Sequence, residues 1–98
     1  FLKGNTFGFH GGEMETSMVM AIDEDLVKLK TSEKGIPKNT AMQTHLSWLV
    51  TDWVTEKGKP IGIGGDPSGA IKEKGKIILI VSAKEFVKDL ILIRDFKE

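Results

Sequence analysis

The chain has 98 residues, enough for one domain or a piece of one, and fourteen Lys and Arg balance fourteen Asp and Glu. A net charge of zero argues against a general nucleic-acid binder and against a polybasic membrane-surface module. With no Cys, a disulfide framework and thiolate metal sites within the chain are both excluded. The hydrophobic share of 40% beside 29% charged is that of a globular protein. The longest apolar run, Ile77 to Val81, is far shorter than a bilayer needs, and the start of the chain lacks a secretory layout. The neutral charge and the absence of Cys make a cytoplasmic location the expectation. The first residue is Phe rather than Met, which points to a processed product or a fragment of a longer chain.

In chain order, Thr6 to Phe9 reads as the end of an extended segment running into a tight turn at Gly11-Gly12. Residues 13–22 predict a helix, with Met14, Met18 and Ala21/Ile22 on one face and Glu13 and Glu15 in the first turn, against the positive end of the helix dipole. A short turn at Asp25–Leu29 follows, and then residues 31–40, dense in Ser, Lys, Gly, Pro and Asn, read as a linker. Residues 41–57 lean to strand through their Thr, Trp and Val content, with a helix carrying Leu46, Val50, Trp53 and Val54 as the rival. Residues 58–69 read as loop. Asp66-Pro67 then looks like a helix start, with Asp as N-cap and Pro in the first position, so a long helix is expected over 67–95. A buried strand at Lys76–Ser82 is its rival, because Ile and Val are β-branched.

Several segments invite a chemical reading. The Gly62 to Pro67 run fails as a dinucleotide loop because Pro67 stands where Gly is needed, and Gly64 to Gly69 fails as a phosphate loop because Ala70 stands where Lys is needed. What survives there is a helix N-terminus able to face an anion. His45 in its apolar stretch suits a packed or surface histidine better than a ligand, and Trp48 and Trp53 suit a core better than a base-stacking platform. The run His10-Gly11-Gly12-Glu13-Met14-Glu15-Thr16-Ser17 stands apart. It places an imidazole, a Gly pair and two carboxylates on one turn into a helix, a layout suited to general acid–base work or to a metal. The bland alternative is that the Glu residues only cap the helix.

That run resembles the signature of the creatininase family, the creatinine amidohydrolases and their relatives that act on formamides. There it reads His-Ala-Gly, two residues, then Glu-Thr-Ser; here Gly11 replaces the Ala. The segment Ile63 to Gly75 resembles a second family run, Gly-Asp-Pro followed by small residues and Glu-Lys-Gly, in the same order and at the matching separation. The resemblance implies an α/β protein in which this chain is the C-terminal part, residues 1–98, of a three-layer α/β/α fold with a mainly parallel sheet and a long C-terminal helix. It also implies a metal-dependent amidohydrolase with a Zn, Mn or Fe centre that cleaves a non-peptide C–N bond in a small cyclic amide or formamide.

Within the resemblance, His10 matches the histidine assigned to proton transfer to the leaving nitrogen. Glu15 matches a glutamate beside the metals, which either orients His10 or is itself a metal ligand. Glu13 has no assigned role. The other family ligands lie upstream of the matched segment, so the N-terminal portion is an expected partner, along with further copies in a hexamer. The chain alone is expected to be incomplete and inactive. The alternative function is a non-catalytic remnant acting as an assembly or interaction module.

Overall fold

The computed structural model describes residues 10–37 and 53–97. Helices dominate these residues: α1 spans Glu13–Ile22 and α2 spans Lys72–Arg94, with short 3₁₀ turns at Glu24–Leu26, Leu29–Thr31 and Pro67–Gly69. Two-residue strands, β1 (Ile36–Pro37) and β2 (Trp53–Val54), pair antiparallel, with Ile36 opposite Val54 and Pro37 opposite Trp53. No parallel pairing occurs among the described residues.

Helix α1 has the bounds its sequence predicts, but it buries a different face. Met14 and Ile22 are exposed, while Glu13 and Ser17, one turn apart, are the buried pair. The reason lies across the interface. A Cβ added at Gly75 would fall 1.8 Å from the Ser17 carbonyl oxygen, so the backbones of α1 and α2 meet where only small residues fit.

Helix α2 begins later than Asp66-Pro67 suggests. Asp66 does cap Pro67–Gly69, its carboxylate accepting from the Ser68 N–H at 3.0 Å, but that turn is a separate 3₁₀ element. Ala70 and Ile71 are extended, and the Ile71 N–H donates to Ser17 Oγ at 3.2 Å. That side-chain bond takes the amide out of a continuous helix, and α2 starts at Lys72. Residues 76–82 are helical, so the rival strand is set aside. Near its start, Lys72 meets Glu24 at 3.2 Å, and that hydrogen bond and charge raise the ammonium pKa above its ordinary value.

The segments that read as linker and loop are tied together instead. Gly35 and Gly65 exchange backbone hydrogen bonds at 2.8 and 3.1 Å, and Ile61 donates to the Trp53 carbonyl at 3.0 Å. Gly35 is buried, because a Cβ there would collide with the Ile63 carbonyl. Backbone pairing joins these segments, with the buried Trp53 and Val54 beside it. Of the expectation for 41–57, the strand at Trp53–Val54 is seen; Thr6–Phe9, His45 and Trp48 lie outside the described residues.

Among the described residues, Trp53, Val54 and Ala70 are the buried hydrophobic side chains, alongside polar Glu13, Ser17, Thr55 and Lys74. Past Gly75, helix α2 is exposed along almost its whole length, including Ile80, Phe86, Leu90 and Ile93.

Candidate active site

His10 enters the site as the end of an extended segment. Its backbone and that of Gly64 exchange both hydrogen bonds, His10 N–H to the Gly64 carbonyl at 3.2 Å and the reverse at 2.7 Å. Gly64 can come this close because it has no side chain: a Cβ would sit 3.2 Å from the Trp53 ring. The His10 residue itself is exposed. Gly11 then takes φ +64°, the left-handed region, which turns the chain into α1. This is the position where the family signature carries Ala; here the backbone conformation favours the Gly this chain has.

The N-cap of α1 is Gly12, which offers no side-chain cap. Glu15, in the first turn, reaches back instead, and its Oε2 accepts from the Gly11 N–H at 2.6 Å. Thr16 Oγ1 donates to the Gly11 carbonyl at 3.2 Å. These bonds resemble a capping box moved one residue outward, and they brace the turn that carries His10. The capping use of a first-turn glutamate is thus real for Glu15. Glu13, on the buried side, forms an ion pair with Lys74, and Lys74 Nζ also donates to the Gly69 carbonyl at 2.9 Å.

The structure therefore brings His10, Gly11 and Glu15 onto one turn and joins that turn to the second sequence run through Glu13 and Lys74. Beside it opens a cleft of about 290 Å³, with Glu15 and Thr16 on one side and Leu26, Val27, Ile63 and Pro67 among its apolar walls. Glu15 lines this cleft, whereas His10 does not. Lys74 and Ser17 are the residues that sequence reasoning passed over. The hint for Lys74 was its place in the Glu73-Lys74-Gly75 run; for Ser17 there was no signal beyond its place in the Glu15-Thr16-Ser17 run.

A family model, described as creatinine amidohydrolase (Creatininase), matches residues 2–90. The chain belongs to the creatininase family. No curated protein and no solved structure matches it. Membership suggests a function of the amidohydrolase type, and the family generally uses a divalent metal. The described residues do not by themselves suit that metal. Among the described residues no group of three His, Asp or Glu converges to hold an ion, and the Glu15 carboxylate is turned back onto the Gly11 amide. No described helix is long and apolar enough to cross a membrane.

Proposed function

We propose that this chain is the C-terminal part of a creatininase-like amidohydrolase that cleaves the non-peptide C–N bond of a small cyclic amide or formamide. His10 passes a proton to the leaving nitrogen as that bond breaks, and Glu15 holds the turn from which the imidazole acts. The observation that supports this reading is the build of the turn. Its family-matching residues are held by Glu15 on Gly11 and by the paired His10 and Gly64 backbones, while the imidazole stays exposed.

In this reading the ligands for Zn, Mn or Fe lie outside the chain, with Glu15 at most an added one. The rest of the three-layer fold, with its mainly parallel sheet, covers the apolar sides of α2. The assembled enzyme is a homo-oligomer, a hexamer as in the family, in the cytoplasm. That no group of metal ligands converges among the described residues favours a second reading, in which the chain is a non-catalytic assembly module.

Intact mass and metal content of the natural gene product, with assays for ammonia and formate release from small amides, separate the two. A product of about 25 kDa that binds divalent metal and hydrolyses an amide supports the enzyme. A single species at 10.8 kDa with neither property supports the module.

A further inference from the structure

Lys74 is a buried charge that the proposed chemistry does not use. Its side chain is 11% exposed and that of its partner Glu13 is 1% exposed. The ammonium reaches three segments at once: it stands in the first turn of α2, pairs with the first residue of α1, and donates to the Gly69 carbonyl at 2.9 Å. At the opposite ends of two of these segments, His10 and Gly64 exchange their two backbone hydrogen bonds. Residues 10–13 and 64–69 are thus tied to one another at both ends, by backbone at one and by Lys74 at the other. The fit at the Lys74 end is close, since a Cβ on Gly69 would lie 2.9 Å from the Glu13 carboxyl carbon.

We infer that Lys74 is a positioning residue for the His10–Glu15 turn. It acts through Glu13, pinning the first residue of α1 so that the first turn stays wound and the Gly11 N–H stays on Glu15. This restraint adds to the Glu15 and Thr16 bonds at a helix end where the N-cap itself, Gly12, has no side chain to cap with. Stability alone does not account for the pair. Desolvating two charges commonly offsets much of their attraction, and replacing such a buried pair by apolar residues of similar volume is often neutral. What the ion pair adds is geometry: an ammonium with a carboxylate and a carbonyl as partners sets where α1 starts relative to the 67–69 turn. That the turn is catalytic rests on the function proposed above; that Lys74 holds it does not.

The test is amide NMR on the natural gene product, with its glycines isotope-labelled. In the wild type the Gly11 amide proton, bound to a carboxylate, is expected at low field and protected from exchange. In Lys74→Met, with the helical circular dichroism retained, the low-field shift is lost and exchange speeds up by about tenfold or more, and Lys74→Arg restores much of both. Gly69→Ala crowds the Glu13 carboxylate without leaving a charge unpaired, and it produces the same loss; it decides the question if Lys74→Met does not fold. A Gly11 amide unchanged in shift and protection in these variants overturns the inference. An inactive or metal-free parent protein would count against the proposed function and leave this result untouched.

Discussion

Ser17 lies under the start of α2 with 0% of its surface exposed, and its Oγ takes the Ile71 amide hydrogen at 3.2 Å. Replacing it with Ala removes the acceptor from a part-buried backbone N–H. The expected cost is about 0.5–1.5 kcal/mol, read as a lower urea midpoint at an unchanged slope. Ser17→Thr would keep the hydroxyl but add a methyl at a residue with no exposed surface, so it is expected to be no rescue. An unchanged midpoint in Ser17→Ala would show that the Ile71 amide finds another partner at no loss. The Glu85–Lys88 and Arg94–Asp95 pairs are of the opposite kind, exposed at both partners and screened by solvent.

At the scale of elements, the decisive contact is α1 on α2, and it turns on Gly75. Gly75→Ala sets a Cβ 1.8 Å from a backbone oxygen, which no rotamer change can relieve, so the helices must part. The expected destabilisation is roughly 3 kcal/mol or more, seen as a loss of cooperative thermal unfolding. A variant melting as sharply as wild type would contradict the packing described here.

How much of this the sequence discloses differs by element. The bounds of α1 follow from local signals, a Gly pair and first-turn acids, and these are strong enough to place it at 13–22. Its buried face does not follow, because apolar periodicity marks Met14 and Ile22 while the interface selects Glu13 and Ser17 for charge pairing and small size. The start of α2 is misplaced from sequence for a similar reason. Asp66-Pro67 is a sound helix start, but a hydroxyl 54 positions away in the chain claims the Ile71 amide and delays the helix. For the site, the residue types and their order are visible in the run from His10 to Ser17. The joining of that run to Lys74, 61 positions on, is a tertiary fact that no local pattern encodes.

For the molecule as a whole, α2 sets the behaviour. Leu79, Ala83, Phe86, Leu90 and Ile93 recur at alternating spacings of four and three, and Ile77, Ile80, Val87 and Ile91 form a second apolar line beside them, all exposed. A helix apolar on more than one side belongs inside a larger body. Purified alone, the 98-residue chain is therefore expected to self-associate, giving a light-scattering mass well above 10.8 kDa. Phe86→Glu with Leu90→Lys is expected to reduce that association while the α1–α2 contact persists. A clean monomer in the unaltered chain would mean that these side chains find cover within it.

The proposed role of His10, moving the proton in an amidohydrolase reaction, is tested most directly by steady-state hydrolysis of a small amide in the metal-loaded natural gene product, comparing wild type with His10→Ala at equal metal content. A fall in kcat of about 10²–10⁴-fold is expected, with the fold and metal content intact. A His10→Ala enzyme that turns over amide at the wild-type rate would contradict it.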